Sequence, residues 1–340
     1  MLIGRAPVRI SFSGGGTDLS SYYEKFEGRV VSATIDRYFY VHVDGRIDGM
    51  VQMTSSDYRS NLVFQSGNPP LARPPFEIAL TTLRLLSMNG GGLNMFMGSQ
   101  VPPGSGLGSS GAVAVNLVNV LASLSGKFLS KHEIAEKAYE VGHDLLGLPI
   151  GKQDEYAAAF GGINEFTFTR NKVEVRPVKI DSDVLERLER NLMLFYLGQT
   201  RESSEILKDQ DSRTREGNPS TLEALHRSKE LATKTRKAIE KGDVEELGRL
   251  LHLSWEEKKK YADRVTNPRV ESIYRAAISS GALGGKLTGA GGGGHLLLCC
   301  SEGRQRNVEE KLSSFGARRV LFRLEPEGAS VREVGFGANC

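Results

Sequence analysis

The chain has 340 residues, 39% of them hydrophobic and 25% charged, the balance of an ordinary globular protein long enough for two domains with large cores. Its 44 basic and 41 acidic residues leave a net charge of +3 spread along the whole length, so nothing argues for nucleic acid or a membrane surface, while anionic small molecules stay open. Three cysteines (Cys299, Cys300, Cys340) are too few and too clustered for a disulfide framework or a metal knuckle, and no apolar run reaches membrane-span length or makes a signal-peptide core, so the expected location is the cytoplasm.

In chain order, Val8 to Ser13, Val30 to Ile35 and Tyr38 to Val43 alternate or are rich in β-branched and aromatic residues, which predicts three strands separated by turns. A Pro-rich loop at 69 to 75 precedes apolar residues at helical spacing (Ile78, Leu80, Leu83, Leu86). A strand from Leu93 to Val101 runs into PPGSGLGSSGA (102 to 112) and then into an apolar helix from Val113 to Leu124. A helix from about Lys131 to Leu146 precedes LPIGKQDEYAAAFGG. The second half opens with a buried strand at Leu192 to Leu197 and continues with helices at about 203 to 216, 220 to 241, 243 to 261 and 268 to 280. KLTGAGGGGHLLLCC reads as strand, glycine loop and strand; a charged helix (302 to 315) and a strand from Arg318 to Leu324 follow. No repeat or low-complexity linker marks a boundary, and the change of character near residue 185 suggests domains 1 to 185 and 186 to 340.

Glycine is the compositional outlier at 39 residues, and it gathers at 14 to 16, 90 to 92, 104 to 108 and 289 to 294. The third cluster feeds a helix start, where first-turn N–H groups have no intrahelical partner and share the positive end of the dipole. Such a loop cradles phosphate, with Ser109 and Ser110 where N-capping residues belong; a plain glycine-rich turn is the alternative. There is no GxxxxGK[ST], no HRD or DFG and no HExxH, and GSGLG lacks the GxGxxG spacing, which argues against Walker-type ATPases, protein kinases, a dinucleotide fingerprint at this loop and common zinc enzymes.

PPGSGLGSSGA resembles the second motif of the GHMP sugar and mevalonate kinase superfamily, APVRISFSGGGTDL resembles its first, and KLTGAGGGGHLLLCC its third, in the family's order. GGGTDL, LPIGKQDEYAAAFGG and LFYLGQTRESSEIL further resemble the branch acting on heptose phosphates and fucose. The resemblance implies an α+β fold of two domains, the first like domain 2 of ribosomal protein S5 and the second ferredoxin-like. It also implies ATP and Mg²⁺ as cofactors and a transferase adding phosphate to the anomeric hydroxyl of a sugar phosphate, heptose 7-phosphate foremost. Another sugar such as fucose or galactose, or a catalytically silent sugar sensor, is the alternative, and a homodimer stays open.

The same resemblance assigns residues. Pro103, Gly104, Ser105, Gly106, Leu107, Gly108, Ser109 and Ser110 would hold the nucleotide phosphates, with Ser110 also on Mg²⁺. Asp154 would be the base that accepts the sugar hydroxyl proton, or only a cap on the helix that follows it. Arg9 would face the transferred phosphoryl, or be a salt-bridged strand arginine. Thr17, Asp18, Gly15 and Gly16 fall where sugar hydroxyls bind, and Asp18 also suits an Asx turn. Gly291, with Gly289 and Gly292, would shape the pocket. Lys152 and Arg201 could meet a distal phosphate or be surface residues. Gly142 occupies the position of the family's metal-binding glutamate, which leaves Glu140 or Asp144 as the substitute.

Overall fold

The computed structural model describes residues 1–88, 91–198 and 203–335. Strands β1 (Leu2–Ser13) and β2 (Gly28–Arg46) form its spine, with helix α1 (Ser20–Phe26) between them. The two strands predicted at 30–35 and 38–43 are one continuous strand, because Asp36 and Arg37 form a bulge that β1 passes by: Pro7 pairs with Tyr38 and Val8 with Ile35. The bulge is bonded by the far end of the chain, Asp36 N donating to Arg323 O and Arg323 N to Asp36 Oδ1.

Hairpin β3 (Met50–Ser55) and β4 (Ser60–Gln65), helix α2 (Glu77–Leu85) and strand β5 (Gly92–Ser99) follow. Next come α3 (Ser109–Leu124), α4 (Lys131–Tyr139), α5 (Gln153–Phe160) and hairpin β6 (Ile163–Phe168) and β7 (Val173–Pro177). The predicted helix to Leu146 ends earlier as α, and Glu140–Leu145 is a π-helical turn. In the first sheet the order is β1-β2-β5-β3-β4, with β12 (Ser330–Glu333, from the end of the chain) on the outer edge of β1, and β6 joins the other half of the β2 edge. Helix α3 is apolar almost all round and lies against β1 and β2 on one side and α4 and α5 on the other, burying Val115, Leu117, Val118 and Leu121.

The second half contains α6 (Ser182–Asn191), β8 (Leu192–Tyr196), α7 (Ser203–Arg215), α8 (Pro219–Lys241), α9 (Val244–Lys258) and α10 (Pro268–Ser279). It closes with β9 (Ala282–Leu287), β10 (His295–Cys300), α11 (Gln305–Ser313), β11 (Arg318–Val320) and β12 (Ser330–Glu333). The second sheet has the order β11-β8-β10-β9, with α9 packed on β9 and β10. The strand expected to reach Leu324 stops at Val320. The chain then crosses to the first sheet, where Leu324 bridges Ile35 and β12 pairs with β1. Among the described residues no helix is long and apolar enough to cross a membrane. Helices and sheets are segregated in the α+β manner expected, and α8 and α9 pack against β1, so the two halves meet at the strand that leads into the first glycine cluster.

Candidate active site

A cavity of about 590 Å³ opens between the halves, a size suited to a small substrate plus part of a nucleotide. The loop of the second motif lines it. Gly108, not a serine, is the N-cap of α3, at φ 72°, a left-handed conformation that costs a side-chain-bearing residue about 1–2 kcal/mol. Ser109 and Ser110 therefore sit in the first turn and supply main-chain N–H groups and hydroxyls. Pro103, Gly104, Gly106, Gly108, Ser109 and Ser110 line the cavity. Ser105 and Leu107 are fully buried and turn into the protein, where the Ser105 carbonyl meets His295 Nδ1 at 2.8 Å and the Leu107 carbonyl accepts from Arg9 N at 2.9 Å.

The glycine cluster at 289 to 294 is pressed onto this loop with no side chain between. A Cβ on Gly289 would stand 2.5 Å from Gly106 Cα, and one on Gly106 would stand 2.7 Å from Thr288 O. Gly291 is placed differently: its missing Cβ faces Val265, and it does not line the cavity.

On β1, Arg9 is 3% exposed and its guanidinium bonds in two directions. Its Nε and Nη2 lie 2.8 and 2.6 Å from Asp154 Oδ1, while Nη1 donates to the Gly106 carbonyl at 2.7 Å. Asp154 is in the first turn of α5, whose N-cap is Lys152, so its carboxylate is aimed at Arg9 and is not the helix cap. Asp154 Oδ2 has no hydrogen bond to any described residue, and Asp154 lines the cavity. Asp18 is 4% exposed and accepts from the main-chain N–H groups of Gly16 (2.8 Å) and Gln153 (3.2 Å), an Asx-like turn that also ties the first motif to α5. Burial, followed by the Asp154 charge, raises the Asp18 pKa against the opposing pull of those N–H groups. Gly15 and Gly16 line the cavity beside it, whereas Thr17 is fully buried and spends its hydroxyl on Gly14 O and Arg29 N, at 2.8 and 2.9 Å.

Several further cavity residues received no role from the motifs. Ser11 Oγ, Gln153 Oε1 and Glu155 Oε2 are buried without a hydrogen-bond partner, three orphans on the wall of one cavity, as expected where a polar ligand completes the set. Glu155 is pushed well up in pKa, first by burial and then by Asp154. Across from these, Lys258 and Lys286 enter from the second half. Lys152 points elsewhere, to Glu136 at 2.7 and 2.9 Å, and shares a separate cavity with Glu140 and Asp144. Arg201 lies outside the described residues.

Residues 76–162 match the GHMP kinases N terminal domain and residues 235–318 the GHMP kinases C terminal region. A D-glycero-alpha-D-manno-heptose 7-phosphate kinase from Campylobacter jejuni is 33% identical over 95% of this chain and 96% of its own length. The chain belongs to the GHMP kinase family. An L-fucokinase/L-fucose-1-P guanylyltransferase from Bacteroides fragilis is 27% identical over 96% of this chain but only 38% of that protein. A crystal structure titled D-glycero-D-manno-heptose 1-phosphate kinase, from Bacteroides thetaiotaomicron, superposes with a TM-score of 0.81 at 27% identity, covering 98% of this chain and all of that one. In this GHMP kinase the three motifs read from the sequence therefore converge on one cavity, and family and fold agree with the expectation.

Proposed function

We propose that this GHMP kinase transfers the γ-phosphoryl group of ATP to the anomeric hydroxyl of D-glycero-D-manno-heptose 7-phosphate, giving the 1,7-bisphosphate. The observation that carries this reading is the Arg9–Asp154 pair bound to the phosphate loop itself, beside a cavity whose wall keeps unpaired polar atoms for a polyol. Asp154 Oδ2 is the open acceptor, and it takes the proton as the hydroxyl O–H bond breaks. The new P–O bond forms as the bond to the β-γ bridging oxygen breaks and ADP leaves. Arg9 neutralises charge on the phosphoryl in transfer, a role that asks for positioning more than covalent chemistry. Pro103, Gly104, Gly106, Gly108, Ser109 and Ser110 hold the nucleotide phosphates, Ser105, Leu107, Thr17 and Gly291 hold the shape of their turns, and Gly15, Gly16 and Asp18 face the sugar; Arg201 is carried as a candidate for its distal phosphate.

A Mg²⁺ ion fits here. Glu155 offers a buried carboxylate oxygen without any donor, and Ser110 a hydroxyl on the loop, which together meet the ion's preference for few protein oxygens. Glu140 and Asp144 line the other cavity, so Glu155 is the better partner for Ser110. When bound, the ion screens the charge of the nucleotide phosphates.

The relatives' names place the pre-existing phosphate at C7 in one case and C1 in the other. Incubation with ATP, Mg²⁺ and a panel of sugars, scored by ADP release, separates these cases. Heptose 7-phosphate is expected to turn over at least 100-fold faster than heptose 1-phosphate, fucose or galactose. Faster turnover of any of the other three would overturn the substrate assignment, and binding without turnover across the panel would favour a sensor.

A further inference from the structure

Two lysines of the second half have no part in the chemistry above. Lys258 ends α9 and Lys286 lies on β9; they are 7% and 3% exposed, and both line the cavity. Lys258 Nζ donates to Leu287 O at 3.0 Å and to Gly289 O, which pins it to the strand and loop that rest on the phosphate loop. Lys286 lies two residues before Thr288, the residue whose carbonyl touches Gly106. Among the described residues neither ammonium has a carboxylate within ion-pair distance, and Asp154, which shares the cavity, is held by Arg9.

A buried cation without a counter-ion costs several kcal/mol, and here two stand beside a third in a cavity open to solvent at one end. The carboxylates on the facing elements, Asp18, Asp154 and Glu155, are on the α5 side and are bonded to main-chain N–H groups, paired with Arg9, or orphaned. What completes the lysine side is an anion with several oxygens. Two point-charge donors and a guanidinium around the end of a glycine loop suit a phosphate dianion better than a planar carboxylate. We propose that Lys258 and Lys286, with Arg9, form a phosphate-binding site at the junction of the two glycine loops, filled during turnover by a phosphate monoester or terminal phosphoryl group.

This rests on the kinase reading for its physiological ligand but not for its test. Inorganic phosphate is the first probe. It is expected to raise the thermal midpoint of the wild-type chain and to lose that effect in Lys286→Met and in Lys258→Gln, with Lys286→Arg retaining it. Because Lys286→Met removes a buried charge, the variant should stay folded, and circular dichroism checks this. Two ratios then identify the source of the phosphate. If it is the nucleotide's terminal phosphoryl, the preference for ATP over ADP in calorimetric titration drops at least tenfold in Lys286→Met. If it is the sugar's own ester, that ratio holds, and the preference for heptose 7-phosphate over the unphosphorylated heptose drops instead. A phosphate shift retained in both variants, or both ratios within twofold of wild type, would overturn the site. Failure of every sugar to release ADP, with the phosphate shift intact, would remove the kinase assignment and leave the site standing.

Discussion

Asp154 and Arg9 sit 145 residues apart in the chain and 2.6 Å apart in the fold, and their pairing decides how each can act. The guanidinium occupies one carboxylate oxygen and leaves the other to a hydroxyl. Asp154→Asn preserves size but removes the acceptor, so kcat is expected to fall by about 10²–10⁴ while nucleotide affinity measured by calorimetry changes little. A variant with wild-type kcat would exclude Asp154 as the base. Lys286 gives a second residue-scale expectation. Burial, and then the Arg9 charge, lowers its pKa from 10.5 to about 7, against the opposing pull of Asp18. Between those values the unfolded chain binds more protons than the folded one, so this group makes stability rise with pH above about 7. From pH 9 the Cys299 thiol, pushed up to about 12 by burial, works in the opposite direction. Denaturant titrations from pH 7 to 9 should therefore show a slope smaller in Lys286→Met than in wild type, by up to about 1.4 kcal/mol per pH unit; identical slopes would show that the ammonium is not desolvated. That lysine stands at the head of the third glycine motif and was within reach of sequence reasoning. Lys258 was harder, because WEEKKKYADR reads as a solvated charge run. Its burial follows only from sharing a helix face with Leu251, Ser254 and Trp255, a spacing that becomes decisive once the helix is docked.

At the level of elements, the site is two glycine loops in backbone contact. Gly289, at φ 66°, would bring a Cβ to within 2.5 Å of Gly106 Cα, so neither loop can keep its place if a side chain intervenes. Gly289→Ala is expected to lower the thermal midpoint and weaken ATP at least tenfold. Gly303→Ala is the control, since it has φ 79° and open space where its Cβ would be, and it bears only the left-handed backbone cost. Equal midpoints and equal ATP affinities in the two variants would show that the loop contact does not matter. Strand and helix types were largely legible here, because α2 and the long second-half helices carry apolar residues at helical spacing and α3 is a long, nearly continuous apolar run. The misread features are those decided by tertiary partners. The Asp36–Arg37 bulge looks like a turn until Arg323 bonds across it, and the serine cap of α3 yields to Gly108 because only the left-handed residue brings the loop round to Arg9.

Across the whole molecule, the order of the chain and the order of the fold differ in one telling place. The last described residues leave the second sheet and return to the first, where β12 pairs with β1, Glu325 N donates to Thr34 O, and Ala329 N donates to Ala158 O on α5. Thus β1, which carries Arg9, and α5, which carries Asp154, are braced by the same C-terminal segment, a link that no local pattern in residues 325 to 333 announces. The two halves together enclose a cleft lined by Arg9, Asp18, Asp154 and Glu155 from the first half and by Lys258 and Lys286 from the second, an arrangement suited to holding a phosphoryl donor against a hydroxyl. The most direct measurement of that claim is phosphorus NMR of ATP, Mg²⁺ and D-glycero-D-manno-heptose 7-phosphate with the enzyme. The expected result is one new phosphate monoester resonance coupled to the anomeric proton for each ADP formed, with the C7 ester unchanged. Release of inorganic phosphate alone, or a new ester at any other carbon, would contradict the account.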